Sequence, residues 1–214
     1  NADTVVFDKT GTLTYATPTV AKVVSFDGYS ASEMLRLAAC LEEHYPHSIA
    51  NAVVAEAKRL GLDHKEYHSQ VEYVVAHGIS STVEDKKVII GSAHFVFEDE
   101  GCVVPEAEQE KFNTLPEEYS HLYLCIAGRL AAVICISDPL RKEAKEAIQA
   151  LHACGISKVV MMTGDSRRTA EAVAREVGVD QFYAEVLPED KANFVRQEKA
   201  AGRKVIMIGD GVND

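Results

Sequence analysis

The sequence predicts an α/β fold in which an antiparallel α+β domain is inserted into a domain built on a parallel sheet. From about residue 137 to the end, short β-branched strands alternate with amphipathic helices, a pattern typical of a parallel sheet with helices on both faces. A further buried strand, Thr4–Phe7, opens the chain and ends at Asp8. The intervening residues contain pairs of strands separated by short turns, which favour an antiparallel sheet.

Helix start and stop signals predict the elements of the parallel-sheet domain. Pro139 and Gly155 bracket a predicted helix over Pro139–Ala153, because proline favours the first helical turn and glycine ends helices. The other predicted elements are the strands Lys158–Met162 and Val205–Ile208 and the helices Arg167–Val177 and Pro188–Ala201, which end at Gly178 and Gly202.

The middle of the chain is predicted to form two helices and at least five strands. Ser30-Ala31-Ser32-Glu33 is a capping box that begins a helix extending to about Glu43. The remaining predictions are a helix over His47–Leu60 that ends at Gly61, strands over Val71–Ala76, Gly78–Val83 and Lys87–Ile90, and a hairpin of Leu122–Ala127 with Leu130–Ile136 around Gly128-Arg129. We therefore assign one domain to residues 1–17 and 137–214 and an inserted domain to residues 18–136, joined by short hinges.

Composition excludes several classes of partner. The 214 residues are 47% hydrophobic and 26% charged, enough for a globular core, and carry a net charge of -11. This charge argues against nucleic acid and against anionic lipid surfaces, which bind basic faces. Any phosphate must therefore be held locally by backbone N–H groups, a lysine or a metal ion.

The dispersed cysteines indicate a reducing, cytosolic setting. The five cysteines are dispersed without a C-x-x-C pair, which predicts reduced and mostly buried thiols. No signal peptide and no apolar run long enough to cross a membrane are found.

Three polar loops that follow predicted parallel strands indicate phosphate chemistry. Ligands bind beyond the carboxyl ends of strands in open α/β sheets, so Asp8, Thr163 and Asp210 should lie close together. A carboxylate nucleophile needs its charge and that of the phosphate offset, and Mg²⁺ held by Asp8 and Asp210 would do this. Thr163 is expected to hydrogen-bond the transferred group, and Lys191 to place an ammonium beside it.

The string Asp8–Thr14 (D-K-T-G-T-L-T) resembles the phosphorylation signature of P-type ATPases. The other segments that resemble this family, in the same order along the chain, are Asp138–Arg141, Thr163–Asp165, Leu187–Lys191 and Gly209–Asp214. The resemblance implies that Asp8 is phosphorylated by Mg·ATP and that Mg²⁺ is bound by Asp8, the Thr10 carbonyl and Asp210. It also implies that the phosphate or its surroundings are held by Lys9, Thr163, Gly164, Asp165, Lys191, Asn213 and Asp214.

Position 10 distinguishes the pump from its closest alternative, a soluble phosphatase of the haloacid dehalogenase superfamily. Those phosphatases have this haloacid-dehalogenase-like, Rossmann-like fold and carry a second Asp two residues after the nucleophile as general acid and base. Thr10 stands there in this chain and cannot activate water. This favours a long-lived phosphoenzyme, with hydrolysis assigned in the family to a separate actuator domain with a T-G-E loop, which this sequence lacks.

The inserted domain resembles that of the heavy-metal-transporting branch. Glu42 and His47 match a Glu…His-Pro-Leu-Ala segment, Gly78 matches a G-x-G-V segment, and Gly91 begins a Gly-Asn-like pair. The resemblance implies that Glu42 and His47 contact or orient adenine and that the glycines let the backbone approach ATP. Ser48 replaces the usual proline and Ala76 the first glycine, so we expect weaker or shifted nucleotide binding.

His64 and His68 are spaced for a helical metal site, but their polar surroundings favour a solvated segment. The transported transition-metal cation would be selected by membrane helices, which these residues do not contain. We therefore expect a soluble fragment from the cytoplasmic face of a membrane pump. It should bind ATP but not transport, and its sequence does not identify the metal.

Overall fold

The computed structural model describes residues 3–62, 69–75 and 78–209. By its internal contacts the chain divides into two compact units, one comprising Asn1–Thr17 and Asp138–Asp214 and the other Pro18–Ser137. A parallel sheet in one unit and an antiparallel sheet in the other confirm the predicted fold class. None of the helices within these described ranges is both long and apolar enough to cross a membrane.

The first unit is built on a four-stranded parallel sheet with its first strand in a central position. In chain order its elements are β1 (Thr4–Asp8), α4 (Ala144–Ala153), β8 (Lys158–Met162), α5 (Arg167–Val177), β9 (Gln181–Tyr183), α6 (Pro188–Ala200) and β10 (Val205–Ile208). The strand order is β10-β1-β8-β9, and every pairing is parallel. All five residues of β1 are buried, because strands 10 and 8 flank it and apolar clusters cover both of its faces.

The second unit is a six-stranded antiparallel sheet that two helices cover on one face. Its elements are β2 (Thr19–Ser25), α1 (Ala31–Glu42), α2 (Ser48–Arg59), β3 (Ser69–Val75), β4 (Gly78–Val83), β5 (Lys86–Gly91), α3 (Gln109–Asn113), β6 (Ser120–Ile126) and β7 (Arg129–Ser137), in the sheet order β2-β7-β6-β5-β4-β3. Alternation along the strands sends Ile90 and Leu124 toward the two helices and Ile89 and Tyr123 to the other face.

The opposite face of this sheet carries a second buried cluster under residues 92–119. A short helical segment, His94–Asp99, places Phe95 and Val96 against the sheet. Cys102 and Cys125 are joined by a disulfide in this cluster. The prediction of five reduced thiols is therefore wrong for this pair, because Val103 pairs with Arg129 and brings together two cysteines whose sequence spacing gave no signal.

Two further predictions are corrected by pairing between distant residues. The predicted helix over Pro139–Ala153 begins only at Ala144, because Leu140 pairs with Thr14 and holds the preceding residues extended. The predicted hairpin turn lies one residue earlier, since Ala127 and Gly128 both have positive φ and Ile126 pairs with Arg129.

Candidate active site

Strand register brings the predicted phosphate-handling residues to one edge of the parallel sheet. Asp8 ends β1 and pairs with Met162, the last residue of β8, so Thr163 follows directly beside it. Phe7 pairs with Ile208, the last residue of β10, and the chain therefore leaves that strand at the same edge. Asp210, Asn213 and Asp214, which the sequence assigns to this site, lie outside the described residues.

The nucleophile predicted from sequence contacts a lysine from a distant helix. Asp8 is 7% exposed, and its Oδ1 lies 2.8 Å from Nζ of Lys191. Lys191 lies in the first turn of α6. The N-cap residue of this helix is Leu187, and its backbone N–H donates a hydrogen bond to Asp190 Oδ2 at 3.0 Å. The ammonium at the start of this helix thus reaches the carboxylate at the edge of the sheet.

Lys9 makes a buried ion pair with the loop after β8. Its ammonium lies 2.5 Å from Oδ2 of Asp165, and the two side chains are 4% and 13% exposed. A cation this deeply buried needs a carboxylate partner. The structure therefore places both residues in a cross-link between the first and second polar loops.

The loop Thr163–Asp165 is shaped by its own hydrogen bonds. Thr163 is buried, and its hydroxyl accepts from the Asp165 backbone N–H at 3.1 Å. A Cβ on Gly164 would meet only the Val186 carbonyl oxygen, at 3.7 Å, which is an ordinary contact. Packing within the described protein therefore does not require glycine at 164.

A second segment, 138–141, is hydrogen-bonded to the phosphorylation loop, residues 8–14. The Arg141 backbone N–H donates to the Leu13 carbonyl at 2.8 Å, and its guanidinium donates to the Gly11 carbonyl at 3.4 Å. Gly11 has φ +83°, the left-handed region, and its N–H donates to the Thr14 hydroxyl at 3.0 Å. The turn at Gly11, directly after Thr10, is thus held by hydrogen bonds to Arg141 and Thr14.

Asp138, at the start of the segment 138–141, lies close to the phosphorylation loop. Burial raises the pKa of Asp138, while the charge of Lys9 and the hydroxyls of Thr14 and Thr10 act in the opposite direction and the charge of Asp165 adds to the increase. Its Oδ1 is buried without a hydrogen-bond partner among the described residues.

In the second unit, Glu42 and His47 lie together at the connection between α1 and α2. Glu42 is 3% exposed, and its Oε2 lies 3.1 Å from Nε2 of His47. Nδ1 of His47 accepts from the Ala50 backbone N–H at 3.4 Å, while the nearby Glu42 Oε2 makes no hydrogen bond to any described residue. The ring of Tyr45 lies 5.8 Å from that of His47. Ser48 is the first helical residue, a position that suits proline equally well.

The two predicted glycines lie opposite each other across β4 and β5. Gly78 pairs with Gly91. A Cβ at Gly78 would lie only 2.1 Å from Cδ2 of the Phe95 ring, so the glycine is required by packing. Ala76, His64 and His68, which the sequence analysis singled out, lie outside the described residues.

Sequence reasoning assigned no role to three residues that the structure places at these sites. Thr12 has a buried hydroxyl without a partner among the described residues, Asp138 faces the phosphorylation loop, and Tyr45 flanks His47. Thr12 and Asp138 lie within the motifs Asp8–Thr14 and Asp138–Arg141, and this was the sequence signal that could have identified them. Tyr45 had none beyond its position between Glu42 and His47.

Comparison with known proteins gives concordant matches over the whole chain. The sequence profile of the haloacid dehalogenase-like hydrolases matches residues 2–214. The chain is 40% identical to copper-transporting ATPase 2 of Rhizobium meliloti over 219 aligned residues, which cover 100% of the chain and 26% of that protein. It is 37% identical to the silver exporting P-type ATPase of Salmonella typhimurium, covering 99% of the chain and 25% of that protein.

A solved structure of the catalytic domain of the CPx-ATPase CopB-B superposes with a TM-score of 0.74 at 29% identity, covering 100% of the chain and 73% of that structure. The chain thus spans about a quarter of the length of the curated relatives that it matches.

Proposed function

Because the chain belongs to the haloacid dehalogenase-like hydrolase family, we propose that it is the ATP-hydrolysing part of a P-type heavy-metal cation-transporting ATPase, with Asp8 as the phosphorylated residue. The matched relatives are named a copper-transporting ATPase and a silver exporting P-type ATPase, and the chain aligns with about a quarter of each. Transport of a transition-metal cation would then be carried out by the longer polypeptide, with this part at the cytoplasmic face of the membrane.

One observation carries the proposal: the Lys191 ammonium lies 2.8 Å from a nearly buried Asp8 carboxylate at the carboxyl edge of a parallel sheet. A carboxylate attacks a phosphate only when the charges of both are offset. Lys191 supplies a positive charge at that point. The location matches the edge at which α/β sheets bind their ligands.

In the proposed reaction, an Asp8 carboxylate oxygen bonds to the γ-phosphorus of ATP and the bond from that phosphorus to the β–γ bridging oxygen breaks. ADP leaves, and an aspartyl phosphate remains. Lys191 stabilises the charge on the transferred group, and the Thr163 hydroxyl donates to it. The Lys9–Asp165 pair holds the two loops in register.

The residues present fit a magnesium ion. The Asp8 carboxylate and the Thr10 carbonyl are oxygen ligands of the kind that Mg²⁺ prefers, and the Gly11 turn fixes the second of them. We propose Asp210 as the third protein ligand. When bound, the ion would neutralise phosphate charge and orient the γ-phosphate.

Thr10 disfavours the phosphatase alternative. A hydrolase of this family would use a carboxylate at this position to protonate the leaving group and to activate water. A threonine hydroxyl does neither near neutral pH, so the aspartyl phosphate should persist. We propose that an actuator domain elsewhere in the polypeptide completes hydrolysis.

The second unit is proposed to hold the nucleotide. The exposed rings of His47 and Tyr45 beside the buried Glu42 provide a surface for a flat base. Gly78 and Gly91 belong to the same proposed site.

The test of the catalytic proposal is incubation of the 214-residue protein with Mg²⁺ and ATP labelled at the γ-phosphate, followed by acid precipitation. We expect acid-stable label that hydroxylamine releases, absent from Asp8→Asn. Release of labelled phosphate without an intermediate, or equal labelling of Asp8→Asn, would refute the assignment.

Calorimetric titration with ATP tests the nucleotide site separately. His47→Ala should weaken binding by about tenfold, the equivalent of about 1.4 kcal/mol for one lost contact. His94→Ala, on the opposite face of the sheet, serves as the control and should bind as the wild type does. Equal affinities for all three proteins would remove His47 from the nucleotide site, and the absence of any binding heat in the wild type would remove ATP from the second unit.

A further inference from the structure

The segment 92–102 is fastened by a disulfide to the face of the antiparallel sheet that α1 and α2 do not cover. It follows β5 directly along the chain and ends at Cys102, which is bonded to Cys125 in β6. Both cysteines are buried, with 6% and 1% exposure. Between β5 and the disulfide, the segment places the buried Phe95 ring against Gly78. The disulfide therefore ties the segment that carries this ring to a central strand of the sheet.

Two polar contacts accompany the disulfide. Lys87 Nζ lies 3.2 Å from Glu100 Oε2, and the lysine side chain is 52% exposed. Directly after Cys102, the Val103 backbone N–H donates to the Gly128 carbonyl at 3.0 Å. An exposed ion pair contributes little to stability. Reduction of the disulfide would therefore leave the segment held mainly by apolar packing, which local opening can break.

A disulfide is unusual in the compartment that the proposed function implies. The cytoplasmic face of a membrane is reducing, and disulfides found there are mostly catalytic or redox-sensing. Cys102 and Cys125 belong to the second unit, and no step of the proposed phosphoryl transfer uses a thiol. A redox-sensing role is the one that is compatible with both the location and the chemistry.

A third cysteine in the same buried cluster does not compete for this pairing. Cys135 faces His121 across β6 and β7, whereas Cys125 faces Leu130. Four residues of strand separate these two places, about 13 Å, which is beyond the reach of a disulfide. Burial also raises the pKa of the Cys135 thiol to about 11, so it is not a thiolate near neutral pH and exchanges slowly. Oxidation is therefore directed to the pair Cys102 and Cys125.

We propose that Cys102 and Cys125 form a redox site that exchanges with small disulfides of the glutathione class, and that oxidation locks the segment 92–102 with its Phe95 ring onto the sheet. The inference rests on the proposed function only for the reducing compartment. Because Gly78 belongs to the proposed nucleotide site, reduction would release the ring that packs against that strand.

The exchange takes place in two balanced steps. In the reducing direction, a glutathione thiolate attacks the Cys102 sulfur, the bond to the Cys125 sulfur breaks, and Cys125 leaves as a thiolate that takes up a proton. A second glutathione thiolate then attacks the glutathione sulfur of the mixed disulfide and releases the Cys102 thiol. Two electrons pass to the protein, and two glutathione molecules become one molecule of oxidised glutathione.

A glutathione titration tests the redox site without nucleotide or metal. The Cys154→Ser variant, which removes the exposed cysteine and leaves four of the chain's five, is equilibrated without oxygen in mixtures of reduced and oxidised glutathione. It is then quenched in acid, alkylated in denaturant and weighed. We expect four alkylated cysteines at the reducing end and two at the oxidising end, with the same curve from either direction. Four in every mixture, or two in every mixture, would overturn the proposal.

Thermal unfolding tests the lock on the segment. We expect a phosphine reductant to lower the melting temperature of the wild type by about 5 °C or more. Cys154→Ser should respond equally, and Cys102→Ser should not respond. Gly78→Ala should lower the melting temperature at most half as much in reduced as in oxidised protein, because a released segment lets the Phe95 ring move away from the added methyl group.

Two results of the melting comparison would contradict the proposal. One is equal melting of oxidised and reduced wild type, and the other is an effect of Gly78→Ala that is the same in both states. If the wild type never acquires label from ATP, the proposed function fails, whereas the titration and the melting comparison still decide the inference about the disulfide.

Discussion

Substitution of Gly78 by alanine tests whether this glycine serves packing or nucleotide access. A Cβ at this position would lie 2.1, 2.4 and 2.7 Å from three atoms of the Phe95 ring, far inside the 3.5–4.0 Å optimum for carbon atoms. Phe95 is 2% exposed within the buried cluster of residues 92–119 and the sheet. The ring therefore cannot swing into solvent, and either the ring or strand β4 must shift.

The expected cost follows from these distances. Overpacking of a well-filled core costs about 1–3 kcal/mol, and the entropy gained by replacing glycine returns about 0.4–1 kcal/mol. We expect the Gly78→Ala variant to lose about 1–2 kcal/mol of unfolding free energy, measured by urea denaturation. Gly164→Ala is the matched control, because its nearest atom outside the loop lies at 3.7 Å.

A double-mutant cycle identifies the ring as the cause. Phe95→Leu shortens the side chain, so Gly78→Ala in that background should cost at least about 1 kcal/mol less than in the wild type. An unchanged cost in the Phe95→Leu background, or normal stability with lost ATP binding in Gly78→Ala, would show that packing against Phe95 is not what requires the glycine.

Three further substitutions probe the first unit. Lys191→Met should reduce phosphoenzyme formation by at least about a hundredfold, as expected for loss of a transition-state charge contact, and labelling rates would show it. Gly164→Ala should leave thermal unfolding within about 2 °C of the wild type yet slow labelling, because a ligand and not the protein needs that space. Burial raises the pKa of Glu198, but its ion pairs with Lys158 and Arg203 outweigh this and lower it overall. The pairs should therefore stabilise the unit above about pH 4.5 and lose that effect as the pH falls; equal acid denaturation of Glu198→Gln and the wild type would contradict this.

Local signals were sufficient where an element is defined by its own residues. Helix α5 begins after Ser166, whose hydroxyl accepts from the Thr169 backbone N–H, and ends at Gly178 with φ +82°. Both signals are visible in sequence, and the predicted bounds Arg167–Val177 are confirmed.

Secondary-structure predictions were wrong where pairing with a residue far away in the chain determines the local structure. Pro139 signals a helix start, yet Leu140 pairs with Thr14, more than a hundred positions away in the chain. The edge strand β2 was missed because its alternation is interrupted by a bulge between Val20 and Lys22.

In the candidate site, too, local motifs were informative and contacts between distant residues were not predicted. The motifs predicted that Asp8 and Thr163 lie at one edge of the parallel sheet, and the register of β1 with β8 places them there. They did not predict that Lys9 pairs with Asp165, or that Phe95 fills the space above Gly78, because both contacts depend on side-chain placement across separate elements.

Chemical location of the phosphoryl group tests directly whether Asp8 is the phosphorylated residue. Protein treated with Mg²⁺ and ATP is reduced with borohydride, which converts an aspartyl phosphate to homoserine, and its peptides are sequenced by mass spectrometry. We expect homoserine at position 8 in the wild type and a much smaller amount in Lys191→Met. Homoserine at another aspartate, or an unmodified Asp8 in protein shown to bind ATP, would contradict it.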